Sequence, residues 1–123
     1  MLRDNFGDKE IRKEIDEKGT TRYYDAAGRL HRDGGPAFVK KDLAGWYQHG
    51  VVHRDDGPAV EADDGFAWYR NGKLHRDDGP AIEIPGIRDG SGDQWWIDGK
   101  RLTKEEFVSV TQGKLRKDIS PRP

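Results

Sequence analysis

The sequence predicts a mainly β fold, a repetitive meander of antiparallel β-hairpins that stack as one elongated sheet and are closed by a short C-terminal helix. The first observation behind this prediction is a phrase that starts at His31, His53 and His75, with a constant step of 22 residues and the pattern His-Arg-Asp-(Asp/Gly)-Gly-Pro-Ala. A period of this length is typical of stacked repeats. The other two observations are a two-residue hairpin signal within the units and a helix-capping signal after the last one.

The composition favours a thin repeat over a thick globular core. Of the 123 residues, 33% are hydrophobic and 37% are charged, and the mean hydropathy is -1.03. Four Trp, four Tyr and four Phe supply much of the area that the chain can bury. A stack in which each unit covers only its neighbours suits this balance. We therefore predict a single repeat domain over residues 1–123, with repeats at about 15–100.

The clearest hairpin signal is Asn71-Gly72, which lies between alternating aromatic and aliphatic residues. It predicts a type I′ turn with positive φ at both central residues. His49-Gly50 occupies the same position one unit earlier. The pairs predicted for the later hairpin are Arg70 with Lys73, Tyr69 with Leu74, and Trp68 with His75.

A second turn is predicted at Asp63–Gly65, as a three-residue loop that sets Ala62 opposite Phe66 and Val60 opposite Trp68. Alternation along the strands then divides the side chains between two faces. The predicted core face carries the three repeat histidines together with Phe38, Val60, Ile82, Ile84, Phe66, Trp46, Trp68 and Trp95. The opposite face carries Tyr24, Tyr47, Tyr69, Leu30, Val52, Leu74, Arg32, Arg54 and Arg76.

Thr103–Glu106 has the pattern of a capping box, with Leu102 and Phe107 placed as its hydrophobic staple. A helix over about 104–112 should follow and end at Gly113. Such a helix covers the apolar surface and the strand edge that a further repeat would have covered. The basic segment 114–123 is expected to be a flexible tail.

The repeat histidines allow three interpretations. In the first, each imidazole packs against its cross-strand aromatic residue and forms a hydrogen bond with a nearby carboxylate or turn amide. A shared metal ion is the second, but equivalent residues of successive two-strand units lie roughly 10 Å apart, too far to share one ion. A catalytic base is the third, and Ser91, Ser109 and Ser120 all lie away from the repeat histidines in sequence.

The Asp-(Asp/Gly)-Gly-Pro-Ala segment is read as turn chemistry, since Asp, Gly and Pro each favour a tight turn. Binding of a hard cation by the paired carboxylates is the alternative, although the spacing is not that of a calcium loop. The recurring Tyr and Arg side chains are the best candidates for a partner-binding site, because both types are frequent at binding hot spots. Alternatively, each Arg pairs with an Asp of the neighbouring turn. The candidate residues are Tyr24, Tyr47, Tyr69, Arg32, Arg54, Arg76 and Arg88.

Arg88 belongs to an interruption of the repeat, the segment Pro85–Gly92, which lengthens the step between equivalent tryptophans. Loops that interrupt a regular scaffold often carry function. This segment is therefore the next candidate after the Tyr and Arg positions.

Residues 68–81 read Trp-Tyr-Arg-Asn-Gly-Lys-Leu-His-Arg-Asp-Asp-Gly-Pro-Ala, which resembles MORN-type repeats, in the variant form found in phages, large DNA viruses and bacterial antitoxin-like proteins. The resemblance covers roughly residues 15–107. It implies an extended β-meander without a bound cofactor, and binding to proteins or, for some members, lipids. The longer first turn at Asp25–Gly28 and the Arg101-Leu102-Thr103 sequence of the last unit depart from the pattern.

Charge and composition narrow the class of function. The formal net charge is -1, which gives no global attraction for nucleic acid or an anionic membrane, and the absence of cysteine excludes disulfides and thiolate metal sites. We find no apolar run long enough for a membrane span and no signal-peptide pattern at residues 1–10, so we expect a soluble, cytoplasmic protein. We predict a non-enzymatic module, without cofactor or metal, that binds a protein partner stoichiometrically as an inhibitor, antitoxin or adaptor. The alternative is binding of a phosphorylated small ligand or an anionic membrane through the Arg residues.

Overall fold

The computed structural model describes residues 11–119, with side chains from 11 to 112. Thirteen strands and one helix lie within these residues. The strands are β1 (Arg12–Ile15), β2 (Thr21–Tyr24), β3 (Phe38–Lys40), β4 (Leu43–Gly45), β5 (Tyr47–Gln48), β6 (Val51–Val52), β7 (Val60–Ala62), β8 (Gly65–Ala67), β9 (Tyr69–Arg70), β10 (Lys73–Leu74), β11 (Ile82–Glu83), β12 (Trp95–Ile97) and β13 (Lys100–Leu102). The helix, α1, spans Lys104–Ile119.

The strands form one long antiparallel sheet and three small ones. The long sheet has seven strands in the order β1-β2-β3-β4-β7-β8-β11, and the hairpins β5-β6, β9-β10 and β12-β13 stand outside it. The mainly β, antiparallel fold with a C-terminal helix is thus confirmed. The prediction of a single elongated sheet is wrong, because each unit places one strand pair in the long sheet and turns the next into a separate hairpin.

The chain leaves the long sheet at an aromatic residue. Trp46 lies between β4 and β5, where its N–H donates to Ala59 O at 2.7 Å and its carbonyl accepts from His53 N at 3.0 Å. Trp68 makes the same two bonds with Ala81 and His75, at 2.7 and 3.0 Å. One side of this residue therefore continues the sheet, while the other opens the hairpin.

The hairpin turns have the predicted geometry. Asn71 and Gly72 have φ of 52° and 82°, and His49 and Gly50 have φ of 46° and 84°. The registers are also as predicted, since Tyr69 pairs with Leu74 and the two units share the same pattern. Positive φ at both central residues matches the twist of the flanking strands, which is why two residues suffice for the turn.

The register of the second turn differs from the prediction. Ala62 pairs with Gly65 and Glu61 with Phe66, so the loop has two residues, Asp63 and Asp64. Gly65 is a strand residue paired with Ala62, and a Cβ there would lie 2.7 Å from the carbonyl oxygen of Glu83 in the neighbouring strand β11. Glycine is therefore required here by the close approach of two strands and not by the geometry of a turn. The shift by one residue places Phe66 opposite Glu61 and not opposite Ala62 in the strand pair.

The core is thin and is built around the alanine that ends each repeated phrase. Ala37, Ala59 and Ala81 have no exposed surface, and Phe107 is also buried. The tryptophans assigned to the core are only half-buried. Of the repeat histidines, His31 and His75 are buried, in agreement with their assignment to the core face.

The helix begins as predicted and is longer than predicted. Thr103 and Glu106 exchange both capping bonds, with Glu106 Oε1 accepting from Thr103 N at 2.8 Å and Thr103 Oγ1 accepting from Glu106 N at 3.0 Å. Phe107 packs on the Trp95 ring with centroids 6.5 Å apart. The helix continues through Gly113, because glycine lowers helix stability by only about 1 kcal/mol and good helix formers follow it.

The helix extends to Ile119, and residues 120–123 and 1–10 lie outside the described residues. No helix in the described part of the chain has the length and apolar character needed to cross a membrane.

Candidate functional site

The three predicted arginines occupy one position in each repeated unit, above the aromatic residue that opens a hairpin. The guanidinium carbon of Arg54 lies 3.9 Å from the ring centroid of Trp46, and that of Arg76 lies 3.8 Å from the ring of Trp68. In the first unit Arg32 covers Tyr23 at 4.1 Å. Arginine and tryptophan therefore share one side of the chain, and their assignment to opposite faces is wrong. The alternation does not carry through the break at Trp46 and Trp68.

Each guanidinium is also held by the turn that follows it. Arg54 donates from Nε to Asp56 Oδ1 at 2.9 Å and from Nη1 to Pro58 O at 3.0 Å. A Cβ on Gly57 would lie 2.9 Å from the guanidinium carbon. The guanidinium thus packs between the Trp46 ring and the glycine backbone, and this contact explains why Gly follows Asp in the phrase.

The third unit repeats this arrangement. Arg76 donates to Asp78 at 2.8 Å and to Pro80 O at 3.1 Å, and Gly79 approaches its guanidinium carbon as Gly57 does in the second unit. Arg32 donates to Pro36 O at 3.3 Å. These bonds fix the arginines inside their own turns.

The predicted tyrosines are placed differently from the arginines. Tyr47 and Tyr69 are half-buried in the small hairpins, and their backbone carbonyls accept from Arg32 N at 3.3 Å and Arg54 N at 3.1 Å. Tyr24 lies under the guanidinium of Arg12, with the Arg12 guanidinium carbon 4.8 Å from the ring centroid. The rings on which the guanidinium groups of Arg32, Arg54 and Arg76 stack are those of Tyr23, Trp46 and Trp68, and not those of the predicted tyrosines.

The repeat histidines connect each unit to the next. The Nδ1 atoms accept backbone N–H groups at the tip of the following hairpin, all at 2.9 Å: His31 from His49, His53 from Asn71, and His75 from Asp98. Because Nδ1 is the acceptor, the ring proton is on Nε2. This is the turn-amide role among the three interpretations of the histidines.

The turns formed by the Asp-(Asp/Gly)-Gly-Pro segment of each unit, called the motif turns below, have an acidic surface. In the second unit Asp55, Asp56 and Glu61 lie around Arg54 and His53, and in the third unit Asp77, Asp78 and Glu83 repeat this set. The side chains of Asp56 and Asp78 are 86% and 84% exposed, whereas those of Arg54 and Arg76 are only 22% and 19% exposed. Carboxylates, not guanidinium groups, therefore face the solvent.

Two grooves separate successive motif turns. The larger, of about 540 Å³, has residues 54–58 on one wall and Trp68, Arg70, His75 and 76–78 on the other. The second, of about 530 Å³, lies one unit earlier and is lined by Arg32, Gly34, Trp46, Gln48, His53 and 54–56. The sequence pattern predicted turn formation by these aspartates, with binding of a hard cation as the alternative, and it did not predict the grooves between them.

A separate cluster forms at the longer first turn. Asp25 is buried, and its carboxylate accepts from Ala27 N, Arg29 N and Arg29 Nε, each at 2.9 Å. His49 Nδ1 lies 2.7 Å from Asp25 Oδ2, and the His49 ring stacks on His31 with centroids 3.9 Å apart. The hydrogen bond from His49 and the bonds from the Arg29 backbone and guanidinium hold the pKa of Asp25 well below its ordinary value. This cluster joins the first turn to the hairpin β5-β6. Its signal in the sequence was His49, which occupies the turn position that Asn71 occupies in the next unit.

Arg88 does not belong to either groove. It lines a separate cavity of about 250 Å³ formed by the inserted segment. Asp93 Oδ1 accepts from Ile84 N at 3.2 Å and closes the segment at its base, after which Gln94 pairs with Ile82. The structure thus places the predicted arginines of the repeats in the grooves, two tyrosines in the small hairpins, Tyr24 in β2 and Arg88 in the inserted segment.

Within residues 11–119, no group of three or more His, Cys, Asp or Glu side chains is arranged to hold a metal ion. No family model, curated protein or solved structure matches this chain.

Proposed function

We propose that this chain is a non-enzymatic module that acts by stoichiometric binding to a protein partner, and that the grooves between the motif turns are its binding face. The observation that carries the proposal is the repetition of one groove at two successive units, with Arg, Trp, His and Asp side chains in the walls of both. A repeated surface of half-buried aromatic rings rimmed by charge is suited to an extended contact with another macromolecule.

The use of the histidines supports the non-enzymatic part of the proposal. The same hydrogen bond recurs at His31, His53 and His75, and it joins each ring to the next hairpin. A catalytic base needs a lone pair that faces the substrate. Here the lone pair of each repeat histidine is taken up by a backbone N–H group.

The role within a cell is proposed from the repeat pattern. The hairpin that turns at Asn71-Gly72 and the phrase of residues 68–81 resemble MORN-type variants of phages and bacteria. By that resemblance we assign the chain to the cytoplasm and to the class of inhibitors, antitoxins or adaptors. Such proteins act by occupying a surface of their target.

The alternative was an anionic ligand or membrane bound through Arg32, Arg54 and Arg76. Their guanidinium groups are held by carboxylates, proline carbonyls and aromatic rings of the same chain. Binding a phosphate there requires these contacts to be broken, which does not favour the alternative.

Photo-crosslinking tests the proposal directly. A photoreactive phenylalanine derivative replaces Arg70, which is exposed in the wall of the larger groove. The matched control places it at Lys41, which is exposed in the turn after β3 and lines neither groove. We expect one discrete protein adduct from the Arg70 position in host extract. An adduct from Lys41 alone would move the binding face away from the grooves.

A further inference from the structure

We infer that β1 is a dimerisation strand, which pairs in antiparallel orientation with β1 of a second copy of this chain and joins the two long sheets edge to edge. This interface is separate from the proposed binding face, since β1 lines neither groove. Two features support the inference: an open sheet edge, and a strand sequence that is complementary to itself in one register.

The two edges of the long sheet differ. At the β11 edge, Ile82 exchanges two backbone hydrogen bonds with Gln94, at 3.1 and 2.9 Å, so the chain that follows the inserted segment covers this edge. β1 forms the other edge, and within residues 11–119 it pairs only with β2. The side chains of β1 are all exposed. An edge of this kind can accept a further strand.

The backbone groups that point away from β2 belong to three alternate residues, Ile11, Lys13 and Ile15. Asp16 N donates to Thr20 O at 3.0 Å, so the backbone of Asp16 faces β2. Successive residues of a strand point their N–H and C=O groups to opposite sides. Arg12 and Glu14 therefore also face β2, where they pair with Tyr24 and Arg22. The outward groups lie two residues apart, as the backbone of a second antiparallel strand requires.

The sequence of this edge is complementary to itself. Residues 11–15 read Ile-Arg-Lys-Glu-Ile. When two copies pair with Lys13 opposite its own mate, Arg12 lies opposite Glu14 of the second copy, and Ile11 lies opposite Ile15 of the second copy. The two-fold axis repeats both pairs, as in an isologous interface. Opposite charges and apolar side chains stabilise a strand pair in these positions, and the Ile pairs cover Ile15, which is 61% exposed in the single chain.

The neighbouring symmetric registers are less favourable. A register centred on Arg12 sets that residue opposite its own mate, and one centred on Glu14 does the same for the carboxylate, and neither forms an Arg–Glu pair. In the register centred on Lys13 the only like-charge pair is that of the two lysines. The Lys13 ammonium lies 5.8 Å from the ring centroid of Tyr23 in β2 of its own chain, so it leans away from the open edge and from its mate.

The small size of the contact predicts a weak dimer. About five residues on each side take part, against roughly 20–30 in a standard interface, so we expect a dissociation constant on the order of 0.1 mM. Sedimentation equilibrium of the full-length protein measures it. The mass should rise from that of the 14.0 kDa chain toward twice that value over a protein concentration range of about 10 µM to 1 mM.

Charge reversal tests the pairing. Glu14→Arg sets arginines opposite each other at both ends of the interface, and Arg12→Glu sets glutamates opposite each other. We expect each variant alone to associate about tenfold more weakly than the wild type. An equimolar mixture of the two should associate at least as tightly as the wild type, because every repulsion becomes an attraction. Lys100→Glu, exposed in β13, makes the same charge change as Arg12→Glu and should leave association unchanged.

Disulfide cross-linking tests the register. The chain has no cysteine, so a single introduced cysteine can bond only to its counterpart in the second copy. Lys13→Cys should cross-link readily on mild oxidation, since directly opposite Cα atoms lie roughly 5.5 Å apart. Arg12→Cys and Glu14→Cys should each cross-link poorly alone, because their counterparts lie more than about 7 Å apart, and should cross-link with each other when mixed.

A monomeric mass at every concentration, no gain in association when the two charge variants are mixed, or equal cross-linking at positions 12, 13 and 14 would each overturn the inference. Recovery in the mixture cannot result from damage to the fold, so the test does not depend on the stability of either variant. None of these outcomes bears on the grooves, and the proposed function would stand without the dimer.

Discussion

The backbone N–H of Asn71 donates a 2.9 Å hydrogen bond to Nδ1 of His53, in the preceding unit of the stack. The adjacent Gly72 N donates to Val52 O at 2.8 Å. Both bonds tie the tip of one hairpin to the end of the hairpin before it. They give the histidine that begins the phrase a structural role, because its ring nitrogen accepts a hydrogen bond from the tip of the next hairpin.

Loss of this bond should lower the stability of the stack. We expect His53→Ala to reduce the free energy of unfolding by about 1–2 kcal/mol, since it leaves the N–H of Asn71 without its partner. His75→Ala should cost more, because the His75 ring is buried and its removal also opens a cavity. Urea unfolding measures both, with the exposed Lys41→Ala as control. An unchanged midpoint for His75→Ala would contradict this role.

The packing of Arg54 against Gly57 predicts a coupled pair. Gly57→Ala should displace the guanidinium from its site beside Trp46, because the new Cβ would lie 2.9 Å from the guanidinium carbon. Arg54→Ala removes the same contact together with the bonds to Asp56 and Pro58. Each substitution alone should cost about 1–3 kcal/mol.

A double-mutant cycle over these two positions measures the coupling. We expect the cost of Gly57→Ala to fall by at least about half once Arg54 is absent, since the clash has no second partner. Strict additivity of the two costs would show that the contact does not matter.

Asp25 predicts an acid-dependent loss of stability. Its pKa is lowered in the folded state from the ordinary value of 3.8, so the ionised carboxylate stabilises the fold fully above that value. This contribution is lost as the pH falls through 3.8 toward the lower pKa of the folded state. Asp25→Asn should therefore destabilise the protein clearly at about pH 7 and by a smaller amount at about pH 3. Urea unfolding at both pH values checks the difference, and a constant difference would contradict the assignment.

The helix should stabilise the end of the stack through Phe107. We expect Phe107→Ala to cost about 3 kcal/mol and to change the emission of Trp95, because the two rings are in contact. Val110→Ala, on an exposed part of the same helix, should change stability by less than about 0.5 kcal/mol. Similar effects of the two substitutions would show that the helix does not pack as described.

The sequence predicted correctly those features of the fold that depend on residues adjacent in sequence. The turn at Asn71-Gly72 and the cap at Thr103 depend on residues adjacent in sequence, and both have the predicted geometry. Gly65 was misread as a turn residue because its requirement comes from the carbonyl of Glu83 in another strand. The sequence pattern within one unit does not show which backbone atoms of another strand will lie close to this residue.

The candidate site was predicted in part for the same reason. The sequence pointed to Arg54 and Arg76, but their stacking on Trp46 and Trp68 depends on the bend at each tryptophan, which strict alternation does not represent. Once the guanidinium groups turn inward, the outward charge belongs to aspartates such as Asp56. The sign of the exposed charge therefore could not be predicted from the sequence pattern and follows only from the folded structure.

Calorimetric titration tests the central claim most directly. The partner captured through Arg70 is titrated into the wild-type protein, into a groove variant, Asp56→Asn/Asp78→Asn, and into a control with the same charge change, Asp42→Asn/Asp64→Asn, whose residues line neither groove. Stoichiometric binding at the grooves predicts heat that saturates at a fixed molar ratio, with weaker affinity only for the groove variant. Heat that continues at a rate set by the protein concentration would reveal turnover, and equal affinity for all three proteins would place the binding face elsewhere.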